Sequence, residues 1–133
     1  MQWDAGPNAG FTSGTPWITP PDNYRTINVQ TELQDPDSIL NYYKRLIQLR
    51  KEKPVVAEGQ IEFLFQDVPG VFAYRRFLGE RELFVINNFT GQTVQLNDSL
   101  WENSLRRVIG NYPDAEIQDG YLVLRPYETV VFE

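Results

Sequence analysis

The sequence VFAYRRFLGERELFVI at residues 71–86 is typical of two antiparallel β-strands that are joined by a tight turn at Gly79-Glu80. Residues 83–86 are apolar at each position, which indicates a central strand whose two faces are both covered. A strand of this kind needs further strands beside it and an apolar layer on each side. The segment therefore predicts a domain in which β-structure dominates.

Extended segments flank this hairpin on both sides and are separated by turn signals. Asp119-Gly120 is a strong hairpin signal, and Pro69-Gly70 marks another turn. The further predicted strands lie at residues 61–65, 94–96, 107–109, 121–124 and 128–132. Seven or eight short strands at close spacing favour an antiparallel β-sandwich or barrel.

Composition and charge exclude several classes of partner and chemistry. The chain has 133 residues with 12 basic and 18 acidic side chains, so its net charge is −6, which disfavours binding to nucleic acid or to anionic membranes. It contains no cysteine and no histidine, which excludes disulfides, thiolate metal sites and His-dependent catalysis within this chain. We predict no cofactor, no metal site and a cytoplasmic location.

One amphipathic helix precedes the strands. Asp35 is predicted as its N-cap with Pro36 at the first helical position, and Pro54 as its end. Tyr43 and Leu46 belong to an apolar stripe along this helix. Arg50 lies within that stripe, so we expect it to pair with a carboxylate or with carbonyl groups, because a buried unpaired guanidinium is costly.

The opening residues form an unusual loop. Residues 1–18, MQWDAGPNAGFTSGTPWI, are too rich in Gly, Pro and Trp for a helix or a regular strand. Irregular sequence continues to residue 34, which is long for a structureless segment in a compact domain. We predict an ordered loop that packs on another surface.

Several of these segments together resemble the retaining α-glucosidases of the α-amylase family, such as oligo-1,6-glucosidase, dextran glucosidase and trehalose-6-phosphate hydrolase. The specific motifs are Met-Gln-Trp-Asp, Asn-Ala-Gly-Phe and Pro-Trp-Ile within residues 1–18, residues 35–39, 46–51 and 87–89, and Arg-Pro-Tyr-Glu at residues 125–128. The resemblance spans nearly the whole chain.

The resemblance implies a mainly β fold and a place at the C-terminal end of such an enzyme. Residues 1–54 would be the terminal loop and last helix of a (β/α)8 catalytic barrel, and residues 55–133 a Greek-key β-sandwich. The two carboxylates that a retaining glycosidase needs, roughly 5 Å apart, would come from barrel strands that precede Met1. The chain is thus predicted to be an inactive C-terminal fragment with no catalytic residue, whose partner is the catalytic barrel.

The resemblance also implies a role for the opening loop. The corresponding loop of the family borders the sugar pocket, so Gln2, Trp3 and Asp4 are the candidate substrate-pocket residues, although burial is the commoner use of a large aromatic. Trp17 is predicted to anchor the loop to the barrel wall. Small α-glucosides are expected to bind the isolated chain weakly if at all.

Two alternative functions stay open from the sequence. Trp101, Tyr112 and Tyr121 could form the flat platform of a stand-alone carbohydrate-binding module, although filling the core is the commoner role. The stripe of Tyr42, Tyr43 and Leu46 would be exposed without a barrel and could cause self-association in a structural dimerisation domain. The sequence does not separate the bond preferences of the related glucosidases.

Overall fold

The computed structural model describes residues 1–102 and 105–133, and it divides into two compact units, Met1–Glu52 and Lys53–Glu133. The first unit is helical and irregular, and the second contains the strands. No helix in the described part of the chain has the length and apolar character that crossing a bilayer requires.

The predicted strands are all present in the second unit. Their bounds are β1 Gln60–Leu64, β2 Val71–Leu78, β3 Arg81–Asn88, β4 Val94–Asn97, β5 Arg107–Gly110, β6 Glu116–Gln118, β7 Tyr121–Leu124 and β8 Thr129–Phe132. Gly79 and Gly120 both have positive φ, as the two predicted hairpin turns require.

The strands form two antiparallel sheets. The larger has the order β1-β2-β3-β8-β5 and the smaller has the order β4-β7-β6. The chain passes from the larger sheet to the smaller after β3, returns for β5, leaves again for β6 and β7, and ends in the larger sheet as β8. This confirms the prediction of a mainly β fold with an antiparallel sandwich.

A hydrophobic core joins the two sheets. Its buried members are Ala73, Phe84, Ile86, Val130 and Phe132 from the larger sheet, Leu96, Leu122 and Leu124 from the smaller sheet, and Trp101 from a 3-10 turn, Ser99–Glu102. Such burial is the main source of stability in a domain of this size. Ile61 and Phe63 of β1 are instead exposed.

The helices differ from the sequence prediction of a single helix after an irregular loop. They are α1 Val29–Gln34, α2 Ile39–Glu52 and α3 Pro54–Glu58. The helix α1 lies in the stretch that we predicted to be irregular, and it begins there because Asn28 caps it by accepting a hydrogen bond from the Thr31 backbone N–H at 2.9 Å. Pro54 ends α2 as predicted and also begins α3.

The predicted start of α2 is wrong by about one turn. Asp35 is the C-cap of α1, and its carboxylate accepts a hydrogen bond from the Asp37 N–H in an exposed turn. Ser38 caps α2 instead, since its Oγ accepts from the Asn41 N–H at 3.2 Å and donates to the Glu32 carbonyl at 2.6 Å. Both residue types favour N-caps, and the buried bond to Glu32 selects the serine.

Replacing Ser38 with alanine should therefore destabilise the first unit by about 1 kcal/mol, because the helix loses its cap and the Glu32 carbonyl loses a donor. Asp35→Ala should have a smaller effect, and Ser13→Ala, in an exposed loop position, is the control. Amide hydrogen exchange of α2 measures the difference. A larger effect of Asp35→Ala than of Ser38→Ala would contradict this assignment.

The prediction that Arg50 pairs with a carboxylate or with carbonyls is also wrong. Its side chain is exposed and has no hydrogen bond or ion pair with any residue in the described ranges. The physical reason is that the apolar stripe around it is itself uncovered. Tyr43 is exposed and Leu46 is only partly buried, so the guanidinium keeps its water.

Candidate functional site

The backbone of Gln2 and Trp3 is held on two sides. On one side, the carbonyls of Gln2 and Trp3 accept hydrogen bonds of 2.9 Å from the N–H groups of Val29 and Gln30 in the first turn of α1. These N–H groups have no partner inside the helix. On the other side, the Trp3 N–H donates to the Ala9 carbonyl at 2.9 Å. The opening loop is therefore an ordered element, as predicted.

Asp4 is used by the loop itself. Its Oδ1 accepts the Gly6 backbone N–H at 2.8 Å. Its carboxylate also occupies the space beside Gly10, where an added Cβ would lie 2.3 Å from Asp4 Oδ2. This arrangement makes Asp4 a turn-forming residue, which is a common role for aspartate.

The opening loop reverses its direction at three consecutive residues whose backbone conformation is left-handed. Asn8, Ala9 and Gly10 have φ values of 55°, 53° and 68°. Only glycine adopts this region without strain, and asparagine does so more readily than alanine. Ala9 is fully buried, and the Asn8 amide donates to the carbonyls of Thr12 and Gly14 at 3.1 and 3.0 Å.

Among the three residues of the predicted pocket border, Trp3 is exposed, whereas Gln2 and Asp4 are partly buried. The Trp3 side chain is exposed by half (50%), although its backbone is bonded on both sides. The Gln2 amide donates to Asn23 Oδ1 at 3.3 Å, and this pair is exposed. An indole face and an amide can together stack on a sugar ring and bond its hydroxyl groups. The structure thus places Gln2, Trp3 and Asp4 in one element and shows that the Asp4 carboxylate is engaged within the loop, while the role of the three residues at a sugar pocket remains a prediction.

Trp17 lies in the same unit but has a different environment. It is 94% exposed, so no residue in the described part of this chain covers it. Ile18 next to it is exposed as well. The role of Trp17 as an anchor on a barrel wall remains a prediction. An exposed pair of large apolar side chains is typical of a surface that contacts another protein or domain.

Two of the three aromatic residues predicted for a sugar platform are engaged within the sandwich, whereas the third, Tyr121, is 38% exposed. Trp101 is 5% exposed and packs against Phe65 and Phe132 at ring-centroid distances of 6.0 and 6.3 Å. Tyr112 lies under the guanidinium of Arg125, and its hydroxyl donates to the Pro126 carbonyl at 3.0 Å. Trp101 is therefore a core residue, which was the favoured interpretation of the sequence.

A buried ion pair lies at one corner of the sandwich. Glu128 is 1% exposed, and its carboxylate accepts hydrogen bonds from the Arg125 backbone N–H at 2.8 Å and from the guanidinium at 2.9 and 2.8 Å. Asp114 binds the outer edge of the same guanidinium at 2.8 Å. The hydrogen bond to Glu128 raises the pKa of Arg125, and the hydrogen bond from Arg125 lowers the pKa of Asp114.

Sequence reasoning missed the residues that hold the loop in place. Gly6 and Gly10 entered the prediction only through the glycine content of residues 1–18, and Asn28 lay in the stretch predicted to be irregular. Two glycines that follow an aspartate at short spacing are a signal that the backbone passes close to its carboxylate. The capping role of Asn28 was readable from its position directly before the Val-Gln-Thr-Glu segment at residues 29–32.

Comparison with known families agrees with this architecture. Residues 1–59 match the family model described as "Alpha amylase, catalytic domain", and residues 71–131 match "Alpha-amylase SusG C-terminal domain". The first match contains the opening loop and the three helices, and the second runs from the start of β2 into β8.

Curated relatives match along the entire sequence. The chain is 41% identical over 136 residues to an oligo-1,6-glucosidase of Parageobacillus thermoglucosidasius, with all of this chain and 24% of that protein covered. It is 42% identical over 136 residues to a trehalose-6-phosphate hydrolase of Bacillus subtilis, with 99% of this chain and 24% of that protein covered. The chain thus spans about a quarter of the length of these relatives.

Solved structures give the same result. The trehalose-6-phosphate hydrolase of Bacillus licheniformis superposes with a TM-score of 0.84 at 38% identity, over 98% of this chain and 24% of that one. The isomaltulose synthase of Erwinia rhapontici gives 0.81 at 33% identity over the same shares. The chain belongs to the α-amylase family of glycoside hydrolases and carries part of the catalytic domain followed by the C-terminal β domain.

Proposed function

We propose that this chain is the C-terminal part of a retaining α-glucosidase. That enzyme would hydrolyse the α-glucosidic bonds of small sugars, either isomalto-oligosaccharides or trehalose 6-phosphate. The observation that supports this proposal most directly is the similarity of nearly the whole chain to oligo-1,6-glucosidases and trehalose-6-phosphate hydrolases, at 37–42% identity. Retention needs a nucleophilic carboxylate and an acid/base carboxylate roughly 5 Å apart. In this proposal both come from outside the chain.

The part of this chain in that enzyme is structural. Residues 1–54 complete a (β/α)8 barrel, and residues 55–133 form the C-terminal domain that stabilises it, so the partner of the chain is the catalytic barrel. The exposure of Trp17, Ile18 and Tyr43 supports this proposal, since contact with the barrel would bury these large apolar side chains. The enzyme is proposed to act in the cytoplasm, and the lack of cysteine is consistent with that compartment.

The opening loop supplies the edge of the sugar pocket. Trp3 and Gln2 would meet the sugar there, while Asp4 holds the loop and does not contact the substrate. This modifies the sequence prediction, which gave all three residues the same role. Its support is the exposure of the Trp3 indole beside an Asp4 carboxylate that is already bonded to Gly6.

A chimeric enzyme tests this proposal. The aligned segment of the Parageobacillus oligo-1,6-glucosidase is replaced by this chain, and kcat and KM are measured for isomaltose and for trehalose 6-phosphate. Trp3→Ala should raise KM by about tenfold, because an aromatic stacking contact contributes about 1 kcal/mol or slightly more. Phe89→Ala, which removes an exposed aromatic side chain of the C-terminal domain, is the control for general damage. An unchanged KM in the Trp3 variant would remove Trp3 from the pocket.

A second candidate function, a dimerisation domain, rests on the exposed stripe of α2. Tyr43 and its neighbours Ile39 and Ile47 are exposed one turn apart on this helix. In the isolated chain they should cause self-association that Tyr43→Glu weakens, as measured by sedimentation velocity over a concentration series. The carbohydrate-binding module is not favoured, because the burial of Trp101 removes the main residue of its platform.

A further inference from the structure

We infer that Gly10, acting through the carboxylate of Asp4, is a positioning residue that sets the direction in which the Trp3 indole leaves the opening loop. This inference rests on the proposed function, in which Trp3 borders the sugar pocket. It adds two residues, Gly10 and Asp4, that determine where that border lies without contacting the sugar.

The first argument is steric. A Cβ on Gly10 would lie 2.3 Å from Asp4 Oδ2 and 2.6 Å from Asp4 Cγ, which is far inside van der Waals contact. The Gly10 φ of 68° is also in the left-handed region that side chains disfavour. Gly6 approaches the same carboxylate, with its added Cβ 2.9 Å from Asp4 Oδ1. The Asp4 carboxylate therefore fits only because two glycines leave room for it.

The second argument connects this packing to Trp3. Ala9 precedes Gly10, is fully buried, and accepts the Trp3 N–H at 2.9 Å through its carbonyl. A displacement of the Gly10 backbone away from Asp4 would move this carbonyl and the bond to Trp3 with it. On the opposite side, the Trp3 carbonyl stays fixed to the Gln30 N–H of α1. Because Asp4 is tied to the Gly6 N–H, we expect the Gly10 backbone to give way, and a shift on this side of Trp3 alone should rotate the residue.

The same loop offers a matched control. Gly14 has no left-handed φ, and the nearest atom to its added Cβ is Thr12 Oγ1 at 3.7 Å, which is ordinary contact. Gly14→Ala therefore adds the same methyl group to the same loop without a clash. A difference between the two glycine variants isolates the packing against Asp4.

The experiment uses the full chain labelled with 5-fluorotryptophan and with ¹⁵N, so that its three tryptophans give three ¹⁹F signals and its backbone amides are followed separately. Gly10→Ala should shift the Trp3 signal, while the Trp101 signal and the amide signals of α2 keep their positions. Gly14→Ala should leave all of them unchanged. Asp4→Asn should leave Trp3 close to its original signal, since the amide oxygen still accepts the Gly6 N–H, whereas Asp4→Ala should shift it.

Three outcomes would overturn the inference. They are an unmoved Trp3 signal in Gly10→Ala, an equal shift in Gly14→Ala, and loss of the α2 amide signals, which would mean that Gly10 sustains the whole unit instead of orienting one residue. No sugar is present in this experiment. A negative result here would therefore reject the role of Gly10 without rejecting the proposed function. The proposed function is tested by the KM of the chimeric enzyme.

Discussion

Arg125→Met should destabilise the β domain by about 3–5 kcal/mol, since it leaves a fully buried carboxylate without its ion partner. Glu128 accepts two hydrogen bonds from the Arg125 guanidinium, and only the bond from the Arg125 backbone N–H survives the substitution. Methionine keeps much of the side-chain volume, so lost packing contributes little. Denaturant unfolding that follows Trp101 fluorescence, in a background with Trp3 and Trp17 replaced by phenylalanine, measures the change.

Two further variants separate charge from packing in this experiment. Arg81→Met removes a charge from an exposed position at the β2–β3 turn and should change the free energy of unfolding by less than about 0.5 kcal/mol. Glu128→Gln combined with Arg125→Met removes the uncompensated charge and should be more stable than Arg125→Met alone. An Arg125→Met variant whose free energy of unfolding lies within about 1 kcal/mol of that of the original chain would contradict the buried ion pair.

Phe132→Ala should have an effect of similar size, about 3–5 kcal/mol, through the cavity that it leaves. Phe132 lies in β8 in the middle of the core, where its ring contacts that of Trp101 at a centroid distance of 6.3 Å. The strand is central in the larger sheet, between β3 and β5, so the surrounding backbone has little freedom to collapse.

The matched control for this substitution is Phe89→Ala, which removes the same side chain from an exposed position. It should change the free energy of unfolding by less than about 0.5 kcal/mol in the same denaturant titration. Equal effects of the two substitutions would mean that Phe132 is not a core residue, and the two-sheet packing would need revision.

The strands were predictable because their signal is local. Alternation and turn residues such as Asp119-Gly120 report directly on the pleated backbone, and each predicted strand is present. The pairing of β8 between β3 and β5 was not predictable, since it joins residues far apart in sequence. The cap of α2 was misplaced because Asp35 and Ser38 are both good caps. The bond from Ser38 to the Glu32 carbonyl decides between them, and Glu32 belongs to the helix α1, which was not predicted.

The candidate site shows the same division between local and long-range signals. The aromatic and glycine content of residues 1–18 predicted an ordered loop, and its backbone is fixed by α1 and by Ala9. The contact of Asp4 with Gly6 is local and could have been predicted from the Asp-x-Gly spacing, whereas the approach of Gly10 to the same carboxylate depends on the left-handed turn at residues 8–10. The expectation for Arg50 assumed a covered helix face, and the face of α2 is uncovered in this chain.

The most direct test of the central claim compares glucose release by the isolated chain with that by the chimeric enzyme, using isomaltose and trehalose 6-phosphate in one assay. The claim is that the chain completes and stabilises an α-glucosidase whose chemistry lies in other parts of the enzyme. It predicts no release by the isolated chain and clear release from one of the two sugars by the chimera. Turnover by the purified isolated chain, or a folded chimera without activity, would contradict it.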